Sequence, residues 1–274
     1  MDSFLPPITL LCWYLESGVD EVVDEVPVDR YALSKLKTKI TSLSLPKKDP
    51  SNTQKKSCSA GPFFSDESAA VLAAHCTTLE ALRAAVTGFR GCSLRMSASH
   101  TVFSDGVPTA PVMVIGEAPG AEEDRQGLPF VGQSGQLLDR MLESIGLERR
   151  RNCYITNVVP WRPPGNRKPT SAEVSMLLPF LERHITLAAP QILLLVGGLS
   201  ASVVLARNEG IMKLRGKWLE YSAGLAIPIP VIATFHPAYL LRSPTQKRFA
   251  WRDLLALQLR LQQLSQSAKT AQRR

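Results

Sequence analysis

Four short runs of apolar residues recur between residues 112 and 237, and each predicts a buried β-strand. Helical patterns, with apolar residues three and four positions apart, separate these runs. Strands of this kind alternating with helices are typical of a parallel sheet covered on both faces. We therefore expect an α/β fold, a three-layer α/β/α sandwich with a central four-stranded, mainly parallel sheet. The strand runs are VMVIGEA (112–118), CYITNVV (153–159), ILLLVGG (192–198) and VIATFHP (231–237), and the helical patterns cover 134–146, 171–188 and 199–206.

The remainder of the chain divides by pattern into separable segments. Residues 1–42 carry acidic amphipathic patterns that predict one or two helices, and residues 43–64 are rich in Ser, Lys and Pro, which predicts a flexible linker. A helix is expected from about Asp66 to Val86, capped by Ser65 or Asp66, and a last helix at about 245–264. These bounds give one main folded domain at residues 65–264 and a frayed basic tail at 265–274.

Charge is distributed unevenly along the 274 residues. The net charge is +8, yet residues 1–31 hold seven acids against one base, Arg30, and the rest holds 31 Lys and Arg against 17 Asp and Glu. A basic excess of this size is typical of a protein that binds a polyanion, most often nucleic acid. A well-solvated basic surface is the alternative interpretation.

The cysteines and the N-terminus indicate a compartment. Five scattered cysteines are an odd number and argue against a disulfide framework, which favours a reducing environment. The start, MDSFLPPITLLCWYLESG, has no basic region typical of a signal peptide, and no apolar run approaches membrane-spanning length. We expect a cytoplasmic monomer with no membrane partner.

Polar residues follow the strand runs at nearly regular spacing. Glu117, Asn157, Gly198 and His236 each stand at the C-terminal end of a predicted strand. Ligands of open α/β sheets bind in the crevice outside these strand ends. The acidic stretch GEAPGAEEDRQGLPF at 116–130 therefore lies at the expected site, facing an amide and an imidazole.

These side chains suit the cleavage of a base from a sugar. The amide of Asn157 offers an acceptor to N3–H of uracil and a donor to O4, whereas cytosine presents the opposite pattern. Phe130 supplies a stacking face for a base taken out of the helix. His236 can hydrogen-bond the negative charge that develops on the leaving base, and a carboxylate can stabilise the cationic sugar or position water. No metal or cofactor is needed for this chemistry.

Three motifs resemble the signatures of the uracil-DNA glycosylase superfamily, closest to family four. They are GEAPGAEEDRQGLPFVGQSGQLL, ITNVVPWRPPGNRKPT and FHPAYLLR, within a similarity that covers roughly residues 85–260. The resemblance implies a catalytic acid at Glu117, a stacking aromatic at Phe130, a uracil-reading Asn157 and a catalytic His236. It also implies a second acid at Glu123, and we expect Ala118 to line the uracil site.

One departure from family four concerns its iron–sulfur cluster. Members resemble one another in holding a [4Fe–4S] cluster on four cysteines, but here Cys92 stands alone at the four corresponding positions. Phe89, Trp161 and Leu177 occupy the other three. One thiolate cannot hold a cluster that calls for four. We expect a clusterless relative, in which these three residues pack apolar surface where the cluster would lie.

DNA contacts are predicted from the loops beside the strand ends. Basic residues suit phosphate contacts, exposed leucines can fill the hole left by a flipped base, and a helix start offers free N–H groups. The candidates are Arg162, Arg167 and Lys168, then Leu240, Leu241 and Arg242, and finally Ser134.

Two functions remain open at this point. One is an active glycosylase that flips uracil out of DNA and hydrolyses its N-glycosidic bond, leaving an abasic site. The other is a protein that binds uracil or abasic lesions in DNA but turns over slowly or not at all. Covalent trapping of the product is disfavoured, because FVGQSGQLL lacks the basic histidine-bearing insert of the relatives that do this.

Overall fold

The computed structural model describes residues 68–271, with side chains up to Gln266. These residues belong to the unit Ala60–Arg274. The predicted acidic helices at 1–42 and the predicted linker at 43–64 lie outside the described residues.

A single mixed sheet forms the centre of the described domain. Its strands are β1 (Asp105–Gly106), β2 (Val112–Gly116), β3 (Cys153–Asn157), β4 (Ile192–Val196), β5 (Trp218–Tyr221) and β6 (Ile229–Thr234), in the spatial order β1-β3-β2-β4-β6-β5. The four inner strands are parallel, with Gly116 opposite Asn157 and Val114 opposite Leu194. The two edge strands are antiparallel to their neighbours.

Helices cover both faces of this sheet. They are α1 (Ala69–His75), α2 (Leu79–Gly88), α3 (Leu94–Ser97), α4 (Ala121–Gln126), α5 (Gln133–Glu143), α6 (Ser171–Ala188), α7 (Gly198–Val204), α8 (Ile211–Leu214), α9 (Pro237–Arg242) and α10 (Lys247–Ala271), with 3₁₀ turns at Pro164–Asn166 and Pro244–Gln246. None of the described helices is both long and apolar enough to span a lipid bilayer.

The side-chain alternation of the strands divides the core into two layers. Met113 and Ile115 of β2 pack in one hydrophobic cluster with α1, α2, α6 and α7. Val112 and Val114 point the other way, into a cluster with α5 and α10. Successive strand residues face opposite sides of a sheet, so apolar residues at every position need cover on both. The predicted α/β/α sandwich is confirmed, with two short antiparallel edge strands added to the predicted four.

Two predicted helix boundaries are wrong. The single helix expected at about 66–86 is two helices, because Thr78 accepts a hydrogen bond from the N–H of Ala81 and caps a new helix start. The last helix runs to Ala271 and not to about 264, so most of the predicted frayed tail is helical. Asn157 is the last residue of β3 and Gly198 the first of α7, whereas Glu117 directly follows β2 and His236 lies two residues beyond the end of β6.

Candidate active site

A pocket of about 990 Å³ lies at the carboxyl ends of the four parallel strands. Strand β2 pairs with β3 on one side and β4 on the other, so the chain winds away in both directions from this point. That is the position at which doubly wound sheets form a ligand crevice. Eleven of the thirteen predicted site residues line this pocket: Glu117, Ala118, Glu123, Phe130, Ser134, Asn157, Arg167, Lys168, His236, Leu241 and Arg242.

Asn157 ends β3 with its amide in the pocket wall. The side chain is buried, at 5% exposure, and its Oδ1 has no hydrogen-bond partner among the described residues. A side-chain Cβ at Gly116, opposite on β2, would collide with both Oδ1 and the ring of Phe130. A buried acceptor without a donor costs about 1–3 kcal/mol. The site therefore presents a buried acceptor that a donor on a bound ligand can satisfy.

Phe130 lies beside Asn157 in an unusual backbone conformation. Its φ is +54°, in the left-handed region that bulky residues rarely adopt, and its ring is buried. The ring centroid lies 5.7 Å from that of His236. An aromatic face, an amide and an imidazole thus meet in one pocket.

His236 caps α9, and its tautomer follows from that cap. The backbone N–H of Ala238 donates to Nδ1 at 3.1 Å, so in the neutral ring the proton lies on Nε2. Burial, aided by Arg242 and opposed by Glu123, lowers the pKa of His236 to about 4. The ring is therefore neutral near pH 7 and presents Nε2–H as a hydrogen-bond donor.

Glu117 follows β2 directly and is partly buried in the pocket. Burial raises the pKa of its carboxyl above the usual value, and the nearby Lys168 ammonium partly reverses this. Lys168 is exposed and lies on the loop after β3. A cation from one strand-end loop thus favours the ionised form of a carboxylate on another.

Glu123 organises the loop that carries Phe130. Its carboxylate accepts hydrogen bonds from the backbone N–H groups of Gly120, Val131 and Gly132, at 3.1, 2.9 and 2.9 Å. Three backbone donors occupy most of the acceptor capacity of one carboxylate. The observed contacts therefore give Glu123 a structural part in the pocket, close to His236.

In the basic loop after β3, the arginines that were predicted to contact DNA phosphates also bind other side chains of the protein. Arg167 makes a two-pronged ion pair with Glu173 at 2.7 and 2.9 Å, and Glu173 also completes the N-terminal capping box of α6 with Thr170. These bonds lower the pKa of Glu173 to about 2. Arg162 donates to Asn166 and does not line the pocket. Arg167 therefore ties the loop to the start of α6 while it also lines the pocket.

Leu240 corrects a second expectation. It is 1% exposed and packs in a small cluster with Phe235 and Ala250. Leu241 is 42% exposed and lines the pocket. Because α9 turns successive residues through about 100°, one leucine of the pair faces the core and the other faces out. The prediction of Leu240 as an exposed wedge is wrong.

The four residues that the resemblance to family four sets at the cluster-ligand positions lie in one hydrophobic cluster. Phe89, Cys92, Trp161 and Leu177 are all less than 10% exposed and belong to the core under α6. Burial raises the pKa of the Cys92 thiol, and the Trp161 indole donates to Thr101. The described residues contain no group of three or more His, Cys, Asp or Glu that could hold a metal ion.

Several pocket residues were not predicted. Ile211 and Met212 of α8, together with Tyr239, complete the wall near His236. Met212 is 65% exposed, an unusual position for a methionine. The stretch that holds Ile211 and Met212, GIMKLRG, carries no recognisable site pattern, whereas Tyr239 lies inside the FHPAYLLR motif.

The fold and pocket define a doubly wound α/β protein whose strand-end crevice holds an aromatic ring, a buried amide oxygen, a neutral imidazole and a carboxylate. Comparison with known proteins agrees. Residues 103–259 match the model of the uracil DNA glycosylase superfamily, and the chain belongs to that superfamily.

The chain matches three curated relatives over most of the length of each relative. The chain is 36% identical to a type-4 uracil-DNA glycosylase of Sulfurisphaera tokodaii over 184 residues, 64% of this chain and 81% of the relative. It is 38% identical to the type-4 enzyme of Pyrobaculum aerophilum over 60% of this chain and 84% of the relative. For the type-4 enzyme of Thermotoga maritima the identity is 37%, over 56% and 77%.

Proposed function

We propose that this protein is a uracil-DNA glycosylase, which takes uracil out of the DNA duplex and hydrolyses its bond to deoxyribose. Membership of the superfamily and the type-4 relatives support this activity. The observation that carries the proposal is the buried Asn157 Oδ1, which lacks a donor among the described residues. Uracil N3–H is a donor of the required kind, and cytosine has none at that position.

Asn157 and Phe130 bind the flipped base. The Asn157 amide accepts from N3–H and donates to O4, and the Phe130 ring stacks on the face of the pyrimidine, next to Ala118. Stacking on an aromatic ring contributes about 1–3 kcal/mol per base. A base that pairs wrongly with the amide leaves buried groups unsatisfied, which is the physical source of the selectivity.

Bond cleavage uses the charges on either side of the base. As the bond between sugar C1′ and uracil N1 breaks, its electron pair leaves with the base and positive charge develops on the sugar. The neutral His236 donates Nε2–H to the uracil anion, and the Glu117 carboxylate stabilises the sugar cation and orients the water that attacks C1′. Fixed donors aimed at developing charge contribute several kcal/mol in such sites.

Glu123 supports the site by holding the loop between Gly120 and Gly132. The family resemblance also offers it as a second catalytic acid. The two roles are separated by Glu117→Gln, because a near wild-type rate in that variant would transfer the acid role to Glu123.

DNA is held by the groups around the pocket mouth. Lys168, Arg242 and the start of α5 at Ser134 contact phosphates, with Arg162 further out, and the exposed Leu241 fills the space left by the flipped nucleotide. Arg167 acts through its pair with Glu173, which fixes the loop on which Lys168 stands. Phosphate contacts of this kind give affinity without sequence preference.

The domain folds without an iron–sulfur cluster in this proposal. Support comes from the packing of Phe89, Trp161 and Leu177 around the single thiol of Cys92. Purified protein is expected to be colourless, free of stoichiometric iron and fully active in the presence of a chelator. We further propose that the protein is a cytoplasmic monomer. Size-exclusion chromatography with light scattering tests the monomeric state.

The activity is tested with a labelled duplex that contains one uracil. We expect release of free uracil and alkali-sensitive abasic DNA, and neither product from a matched duplex with cytosine at that position. Tight binding of the uracil duplex without released uracil would instead establish a lesion-binding protein. A brown preparation with cluster absorbance would refute the clusterless proposal alone.

A further inference from the structure

Arg149 forms the centre of a largely buried network between α5 and β3. Its side chain is 13% exposed and donates five hydrogen bonds. Three of them go to the carboxylates of Asp105 and Asp139, at 2.8 to 3.2 Å. The other two go to backbone carbonyls, those of Pro129 and Phe130, each at 2.6 Å. The guanidinium is therefore neutralised by two carboxylates and directed at one peptide segment.

That segment contains a residue of the pocket with a left-handed backbone. Phe130 has a φ of +54°, a conformation that is unfavourable for a bulky residue and persists where surrounding contacts impose it. Arg149 holds the carbonyl side of the segment, and the Glu123 carboxylate holds the N–H groups of Val131 and Gly132 on its other side. Gly135 allows α5 to approach so closely that a Cβ there would collide with the Phe130 carbonyl.

We propose that Arg149 is a positioning residue for the base-stacking ring, fixing the left-handed Phe130 backbone so that the ring faces the pocket. The proposal rests on the stacking role given to Phe130 above. It also explains the two-residue edge strand β1, which fixes Asp105 beside Arg149 through its pairing with β3. Only a forked, planar cation reaches two carbonyls and two carboxylates together, so lysine does not replace Arg149.

A purely structural role is the alternative, and a double-mutant cycle separates the two. We expect Arg149→Met to slow single-turnover uracil excision by about tenfold, the size of a lost base-stacking contact. In a Phe130→Leu background, which keeps apolar volume but removes the ring, we expect the same substitution to slow excision by less than about twofold. Equal slowing in both backgrounds would overturn the proposal.

Arg183→Met is the matched control. Arg183 donates one hydrogen bond to a backbone carbonyl, that of Cys76, and ties α6 to the end of α1 away from the pocket. We expect its loss to change the excision rate by less than about twofold in either background. If Arg149→Met does not fold, Asp139→Asn replaces it, because Asp139 orients the guanidinium yet is already 36% exposed.

Backbone amide exchange tests the positioning without relying on activity. The N–H groups of Val131 and Gly132 are expected to exchange at least about tenfold faster in Arg149→Met, and at the wild-type rate in Arg183→Met. Unchanged exchange at these two amides would overturn the positioning role whatever the enzyme does. If exchange rises but Phe130→Leu excises uracil at the wild-type rate, the stacking role fails, and Arg149 is reduced to a loop anchor.

Discussion

Two opposing effects act on the pKa of the Glu117 carboxyl in the pocket. Burial raises the pKa of its carboxyl and Lys168 lowers it. The proposed chemistry needs the ionised form, so the rate falls as the pH drops through this raised pKa. We expect Lys168→Met to raise the pKa further and to move the acidic limb of the pH–rate profile to higher pH.

Lys168→Arg is the control for that shift, because it keeps the positive charge and removes only the ammonium. We expect its acidic limb to stay at the wild-type pH. Single-turnover rates at saturating protein, measured from pH 4 to pH 9, follow the ionisation separately from DNA binding. An acidic limb that stays in place in Lys168→Met would show that the lysine does not act on Glu117.

His236 and Glu117 carry separable parts of the reaction. We expect His236→Ala to slow excision by about a hundredfold, the range found for removing one donor to a developing anion. We expect Glu117→Gln, which keeps shape and removes charge, to be more damaging. DNA affinity survives both changes because phosphate contacts supply most of it. Equal losses of binding and rate, measured in parallel, would show that both residues are structural.

The positions of pocket residues were easiest to predict from the sequence where those residues lie at the end of a strand. Glu117, Asn157 and His236 follow apolar runs, and parallel strand ends meet at one edge of a sheet, so their convergence was predictable. Arg149 was not. It stands first in a run of three arginines that looks like a solvated charged turn, and its burial depends on Asp105 and Asp139 from two distant parts of the chain.

Helix α9 carries two adjacent leucines in different environments: Leu240 is buried in the core, and Leu241 is exposed at the pocket. We expect Leu241→Ala to slow excision from duplex DNA by about tenfold and to change the free energy of unfolding by less than about 0.5 kcal/mol, because the side chain is exposed. Leu240→Ala is its matched control on the same helix. Because it empties a buried site, we expect it to cost about 2–5 kcal/mol of stability.

Denaturant unfolding and excision kinetics on both variants distinguish these roles. A Leu241→Ala variant with the wild-type rate on duplex DNA would remove the wedge role from α9. The two leucines are adjacent and chemically identical, so the sequence pattern could not tell which is buried and which is exposed. Only the direction in which the helix leaves His236 decides which one is buried.

Among the elements, the inner strands were the most predictable and the short ones the least. Fully apolar runs between helices leave little choice but a covered parallel sheet. Edge strand β1 has two residues and β5 is half exposed, so neither carries an apolar run. The break between α1 and α2 depends on one capping threonine within a continuous amphipathic pattern, which periodicity alone passes over.

Across the whole molecule, residues 1–31 carry a net negative charge and the remaining residues a large net positive charge. Deleting residues 1–31 removes seven acids and one base and raises the net charge from +8 to +14. We expect tighter DNA binding at low salt, a difference that shrinks as salt rises, and an excision rate within about twofold of the full chain at saturation. Weaker binding after the deletion, in a protein that remains folded, would show that the acidic segment contributes to DNA recognition.

The central claim is that Asn157 reads the base through an otherwise unpartnered amide oxygen. The most direct measurement is the single-turnover excision rate on duplexes that contain uracil or cytosine, for wild type and Asn157→Asp. Asp removes the donor to uracil O4 and places an acceptor opposite cytosine N4. We predict that the ratio of uracil to cytosine excision falls by at least about tenfold, with some loss of uracil activity. An unchanged ratio would contradict the account, because discrimination would then not depend on this side chain.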